Sequence, residues 1–325
     1  MAKGTNKGGA KGEGKAKGDR GKKGARHGSG SPGRGKKDKA AAAEPALRLS
    51  DLLRVPEGKP YDLAAQDASA TPAGPADKAA GLAATARMGE HLADLQERLY
   101  AASTKGDPRR LLLVLQGMDT SGKGGTIKHV VGLFNPSGCR IRAFKAPTAE
   151  ERAHPFLWRI RKALPEAGEL GIFDRSHYED VLIARVRDLV PRAQVTRRYA
   201  QINRFEQSLA DDGVTVVKCF LHLSYEEQGR RLAARLDTPE KHWKFNPGDI
   251  EERAVWPAYQ EAYSLALERC STAAAPWFVI PADRKWYRNW AISTLLREHL
   301  EALDPQYPKA DFDVAECKAR LLSEG

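Results

Sequence analysis

Three features of the sequence predict an α/β fold, a parallel sheet sandwiched between helices. LLLVL (111–115) is a continuous apolar run, as a strand buried on both faces requires. From there onward strand-like and helix-like stretches alternate, which implies right-handed crossovers between parallel strands. Between the first strand and the next helix lies a glycine-rich loop, GMDTSGKGG (117–125). At 325 residues, 41% hydrophobic and 29% charged, the chain can bury one large core or two small ones in the manner of an ordinary soluble protein.

Taken in order, residues 40–77 are Ala/Pro-rich with scattered leucines and read as an irregular arm on the body. Leu82, Met88, Leu92, Leu95 and Leu99 fall near a 3.6-residue period and predict a helix over 78–102. After the glycine loop a helix is expected at 123–134, a short strand at 140–144, a helix at 149–164 and a strand in ELGIF (169–173). Helical stretches at 178–187 and 194–211 lead to the strand VTVVKCFLHL (214–223). Ser224 with Glu227 three residues later has the form of a capping box opening a helix to Leu236. A polar segment (237–248), a helix over 249–269, the strand WFVI (277–280) and a helix over 284–303 complete the domain. Residues 306–325 read as an extension, and no internal repeat is visible.

The net charge of +11 is unevenly placed: residues 1–39 carry 13 Lys/Arg against 3 Asp/Glu, leaving +1 on the rest. That Gly/Lys-rich tail has little to bury and is expected to be disordered. It could hold a polyanion through counterion release, or serve only as a solubilising tail. No apolar run approaches the ~20 residues of a membrane span, and the first 39 residues lack the apolar centre of a secretory signal. Four cysteines, far apart and with no CxxC pair, argue against a zinc module or disulfide framework and suit a reducing cytoplasm.

The loop carries the strongest chemical signal. Gly117, Gly122 and Lys123 fit G-x4-GK, placed after a buried strand and before a helix. Backbone N–H groups of such a loop, including Gly124 and Gly125, cradle phosphate oxygens while the lysine neutralises them. An ordinary nucleotide loop follows the lysine with Ser or Thr, a magnesium ligand; here the residue is Gly124. A hard cation must then find oxygens elsewhere, and Asp119 within the loop is the nearest candidate. The alternative for Asp119 is a turn contact.

Strand GIF (171–173) runs into Asp174 and Arg175. Ligands gather at the carboxyl ends of parallel strands, so Asp174 is expected beside the loop as a second oxygen ligand of Mg2+ or Mn2+, with Arg175 reaching a phosphate. Alternatively Asp174 caps the next helix with Arg175 as its ion pair. Glu179 supports Arg175 or is plain surface. Downstream, Arg230, Arg231, Arg235, Lys241 and Lys244 form a basic stretch bounded by Pro and Gly, suited to a lid closing over phosphates or to a solvated face. Trp243, Phe245, Trp256, Tyr259 and Tyr263 offer a nucleobase slot or core packing.

These segments resemble the polyphosphate kinase 2 family. The resemblance rests on LQGMDTSGKGGTIKHV (115–130), FNPSGCRIRAFKAPT (134–148), FLWRI (156–160), GIFDRSHYEDVLIARV (171–186), FLHLSYEEQGRRL (220–232), KHWKF (241–245) and PWFVIPADRKW (276–286), in that order. It implies a P-loop kinase-like three-layer α/β/α domain with a helical lid at 226–249. It also implies transfer of the terminal phosphoryl group of inorganic polyphosphate to AMP or ADP, or another purine nucleotide such as GMP or GDP, with magnesium. By motif match Asp119, Lys123, Asp174 and Arg175 correspond to metal and phosphate residues, and Arg230, Arg231 and Arg235 to lid arginines. Lys128, Arg140, Arg142 and Lys145 correspond to a polyphosphate track. A homodimer or homotetramer is implied as well.

HYEDVL (177–182) resembles the branch acting on both AMP and ADP, whereas an aspartate before the Arg-Ser pair resembles branches with narrower acceptors; the acceptor stays open. The expected chemistry is in-line attack by an acceptor phosphate oxygen, already anionic near neutral pH, on the end phosphorus of polyphosphate. No general base is then required. The rival readings are an ATP-dependent P-loop kinase and a polyanion- or nucleic-acid-binding protein working through its tail. The body at +1 carries no basic stripe beyond the lid, so binding of a specific nucleic acid or a membrane is not expected.

Overall fold

The computed structural model describes residues 47–323, so the basic tail at 1–39 and the start of the arm lie outside the described residues. Five strands, β1 (Arg110–Gln116), β2 (Cys139–Ala143), β3 (Leu170–Asp174), β4 (Val214–His222) and β5 (Trp277–Pro281), form one sheet in the order β2-β3-β1-β4-β5. Every pairing is parallel. The continuous apolar runs occupy the centre: β1 is buried at six of seven positions and β4 at eight of nine.

Side-chain alternation divides the core between the two faces of the sheet. Leu111, Leu113 and Leu115 pack with Val217, Cys219 and Leu221 against Leu295 and Leu296 of the helix Lys285–Leu303. Leu112 and Val114 pack with Phe173 and Val216 against Phe205 and Leu209 of the helix Arg192–Asp211. The α/β/α layering expected of the sequence is therefore present, each buried side chain contributing about 1.5–3 kcal/mol.

Register positions the site. Leu115 lies opposite both Asp174 and Cys219, so β1 and β3 end close to one level while β4 runs on to His222. β1 also has β3 on one side and β4 on the other, reached by crossovers in opposite directions. The loop after β1 thus opens at the switch point where doubly wound sheets bind ligands.

Several elements differ from expectation, and proline explains two of them. The stretch 149–164 forms two one-turn helices, Ala149–Arg152 and Trp158–Arg161, flanking Pro155. The stretch 249–269 divides at Val255 into Gly248–Ala254 and Trp256–Cys270, with Pro257 in the first turn of the second helix. The 78–102 helix breaks at Met88 into Lys78–Arg87 and Gly89–Ser103. The helix after the loop ends at His129, continuing as a 3-10 turn at Val131–Leu133. A 3-10 turn at His177–Asp180 and a one-turn helix at Ile183–Val186 replace the single helix at 178–187. The arm contributes a short helix, Leu49–Leu53, and buries Val55 and Leu63. Within the extension, Val314–Ser323 is helical. No helix among the described residues is long and apolar enough to cross a membrane.

Candidate active site

The loop adopts a conformation that its glycines permit. Gly117 has φ 148° and Gly122 φ 107°; a Cβ on Gly117 would lie 2.8 Å from Leu221 O, and one on Gly122 would run into the Arg288 guanidinium. Gly122 caps the helix Lys123–His129. The buried Lys123 Nζ curls back, donating to Gly117 O at 2.7 Å. Desolvation lowers its pKa, while the carboxylates of Asp119 and Asp174 oppose that shift. The hydroxyls of Thr120, Ser121 and Thr126 are buried with no hydrogen-bond partner among the described residues. Buried polar groups ordinarily find partners, so unused donors are gathered around the turn.

Beneath the loop two arginines hold its carbonyl side. Arg231 donates from Nη1 to Thr120 O at 2.9 Å, from Nη2 to Ala282 O at 2.7 Å and Asp283 O at 2.9 Å, and from Nε to Glu227 Oε1 at 2.7 Å. The buried Arg288 donates from Nη1 to Ser121 O at 3.2 Å and from Nη2 to Asn289 Oδ1 at 2.8 Å. Burial, joined by repulsion from Arg231, lowers the Arg288 pKa to about 10. The capping box is half formed: Glu227 N donates to Ser224 Oγ at 3.1 Å, but Ser224 N donates to Asp283 Oδ1 at 2.9 Å and the Glu227 carboxylate is taken by arginines.

At the end of β3, Arg175 N donates to Leu115 O at 3.0 Å, and the backbone then turns through φ 63°. Such a conformation in a non-glycine residue costs about 1–3 kcal/mol and clusters at functional sites. It aims the guanidinium across the cleft at Asp119, Nη2 to Oδ1 at 3.0 Å. Burial opposes the Arg175 charge, but Glu179, Asp119 and Asp174 outweigh it and hold the group firmly protonated. Burial raises the Glu179 pKa against the pull of Arg175. The ion partner of Arg175 is thus Asp119, and Ser176, whose Oγ accepts from Tyr178 N at 3.2 Å, caps the following turn in place of Asp174.

That turn rests on a buried network absent from the sequence-based expectations. Lys218 Nζ donates to Glu206 Oε2 at 2.6 Å, Tyr178 OH at 2.8 Å and Cys270 O at 2.6 Å, and His177 Nε2 lies 3.1 Å from Glu206 Oε1. Burial works against the Glu206 carboxylate, yet Lys218 and His177 prevail and hold its pKa below the usual range.

Two cavities meet at the Asp119–Arg175 pair. The first, about 570 Å³, is lined by the glycine turn, Lys123, Lys145, Asp174 and Trp243. The second, about 500 Å³, is lined by Glu179, Asp249, Glu252, Tyr259 and Tyr263. Asp119, Arg175, Arg235 and Lys244 line both. Of the expected residues, the structure therefore brings Gly122, Lys123, Gly124, Gly125, Asp119, Asp174, Arg175, Arg235, Lys244 and Lys145 to the first cavity, and Gly117 to the second.

Others stand apart. Arg230 is 73% exposed and pairs with Glu227; Lys241 is exposed beside Thr238. Lys128 is exposed, and Arg140 and Arg142 pair with Glu166 and Glu151 outside both cavities. Tyr259 and Tyr263 are buried cavity walls, whereas Phe245 and Trp256 line neither cavity.

Among the described residues no group of three or more His, Cys, Asp or Glu is placed to hold a metal. Asp119 and Asp174 nevertheless line one cavity beside the glycine turn. Two carboxylates facing a phosphate loop fit a hard cation whose remaining oxygens come from phosphates and water.

A sequence model of the polyphosphate kinase 2 family matches residues 76–308. The chain belongs to this family. It is 48% identical over 256 residues to the AMP/ADP-polyphosphate phosphotransferase of Meiothermus ruber, covering 79% of this chain and 94% of that one. It is 41% identical to the ADP-polyphosphate phosphotransferase of Rhodopseudomonas palustris over 68% of this chain and 79% of the relative. A crystal structure of polyphosphate kinase 2 from Arthrobacter aurescens superposes with a TM-score of 0.83 at 51% identity, covering 88% of this chain and all of that one.

Proposed function

We propose that the chain is a polyphosphate-dependent nucleotide kinase passing the terminal phosphoryl group of polyphosphate to AMP or ADP. The observation that carries this reading is the pair of cavities meeting at Asp119 and Arg175. Two polyanions can approach end to end only where fixed cations lie between them. The glycine-lined cavity, rich in Lys123, Lys145 and Lys244, takes the polyphosphate end. The second, with carboxylates and two tyrosines, takes the nucleotide. The names of the relatives point the same way.

In this arrangement the acceptor phosphate oxygen attacks in line without a base. Lys123 leaves its carbonyl partners for phosphate oxygens, and Arg175, Arg235 and Lys244 face the transferring group from the shared wall. Positioning and charge neutralisation supply the rate in phosphoryl transfer. Magnesium, held by Asp119 and Asp174, would lend positive charge to the phosphate oxygens. Arg231 acts beneath the loop as its brace. Four unpaired thiols suit the cytoplasm, and a homodimer or homotetramer completes the reading.

The test is product formation by purified protein given polyphosphate and magnesium with AMP or ADP and no ATP. ADP or ATP should accumulate; no product from either acceptor would refute the reading.

A further inference from the structure

A groove of about 870 Å³ lies outside the cleft, between the helix Arg192–Asp211 and the segment that follows β2. Gln194, Arg197, Gln201 and Arg204 line it; their spacing of three and four residues places them in one stripe of the helix. Arg152 and Arg161 line the same groove, which holds five arginines with Arg198 and no carboxylate. A solvated face on a body of near-balanced charge would mix signs. Aromatic rings underlie two of these arginines: Arg161 lies 4.7 Å from the Phe205 centroid and Arg198 5.2 Å from that of Phe156. The ring contacts hold these guanidinium groups in place; Arg198 also donates to Asp180 O, whereas Arg161 has no side-chain hydrogen bond among the described residues.

A relay of polar contacts through the buried Arg159, rather than a shared wall, links the groove to the cleft. Lys145, on the wall of the glycine-lined cavity, accepts through its carbonyl from Arg159 Nη1 at 2.8 Å. Arg159 pairs with Asp180 at 3.7 Å, and Asp180 O accepts from Arg198 Nη1 at 2.7 Å.

We propose that this arginine groove is a second binding site for the polyphosphate chain, holding phosphates remote from the one being transferred. The proposal rests on the polyphosphate reading above. A chain longer than the cavity carries charge on every phosphate and must lie along the surface where it emerges. The stripe from Gln194 to Ser208 extends about 21 Å at 1.5 Å per residue, enough to engage several phosphates. Phe205 and Phe156 sit under arginines and His154 is stacked on Trp158 at 4.0 Å, so the groove offers guanidinium groups rather than a run of aromatic platforms; a linear phosphate polymer is the matching ligand.

The test compares the full-length Arg197→Ala/Arg204→Ala double variant with the unaltered protein; both carry the basic tail, so its contribution cancels. With long-chain polyphosphate the variant should show KM raised about tenfold and kcat unchanged. The slope of log KM against log salt should fall by about one for each arginine removed. With tripolyphosphate, which fills only the cavity, KM should not move. Unchanged long-chain KM, or equal changes for both lengths, overturns the proposal. So does a changed oligomeric state, which would make the groove a contact between copies, or loss confined to oligonucleotide binding. An unaltered protein that turns over neither polyphosphate refutes the underlying function instead.

Discussion

Arg231 and Arg235 stand four residues apart on one helix, yet they serve regions of different character. Arg231 is buried and spends its donors on loop and strand-end carbonyls and on Glu227. Arg235 reaches the solvent side, touching Lys244 O at 3.0 Å and Asp249 at 3.3 Å. Around Arg231 the phosphate loop is fixed from below before any ligand arrives. Around Arg235 the chain is a 3-10 turn, Pro239–Lys244, followed by irregular backbone to Pro247, with Trp243 79% exposed. The first region is fixed by buried donors, and the second is shallowly packed, as the lid expected from the sequence would need to be. Sites that pre-organise charge avoid reorganisation at the moment of reaction, while a lid must remain easily opened.

Lys123→Ala should give the largest effect, turnover falling about a thousandfold or more with the thermal unfolding midpoint nearly unchanged. A variant retaining near-full rate would remove the loop from the chemistry. Next, Glu206→Gln strands Lys218 in the core and should cost about 3–5 kcal/mol by denaturant unfolding. Because the folded Glu206 pKa lies below its unfolded value, its contribution is present above about pH 4.5 and is lost as pH falls through the folded pKa. Acid melts of the variant should therefore be flatter in that window than those of the unaltered protein.

Arg231→Ala should lose about 3 kcal/mol of stability together with activity, since buried carbonyls and Glu227 lose their donor. Arg235→Ala should leave stability within about 1 kcal/mol, because its pairs are part-exposed, while turnover falls about tenfold. Arg230→Ala should change neither appreciably. If Arg230→Ala matched Arg235→Ala in lost rate, or Arg231→Ala spared stability, the contrast between brace and lid would fail.

The sheet was legible because β1 and β4 bury both faces and so read as unbroken apolar runs. The loop was legible because its spacing carries a mechanism. Helix continuity was less so: periodicity survives a break, and Pro155 and Pro257 were the stronger signals. The role of Arg231 depends on Ala282 and Asp283, distant in sequence, which no local pattern encodes. Arg288 and Glu206 did leave a trace, as charged residues on the buried stripes of their helices, Arg288 beside Tyr287 and Ile292, and Glu206 beside Ile202 and Phe205. Lys218 likewise interrupts an apolar strand. Charges out of pattern in a core-facing position mark buried networks worth seeking.

One rim of the sheet is covered and the other is guarded by charge. On β2, Ile141 is 51% exposed but is flanked by Arg140 and Arg142. On β5, Val55 N donates to Trp277 O at 2.8 Å, Arg54 forms an antiparallel bridge to Phe278, and the strand ends at Pro281. Charged residues, proline and a covering segment all discourage edge-to-edge growth. An enzyme that gathers a multivalent polymer risks being crowded against its own copies, and these guarded rims disfavour fibre-like stacking when that happens.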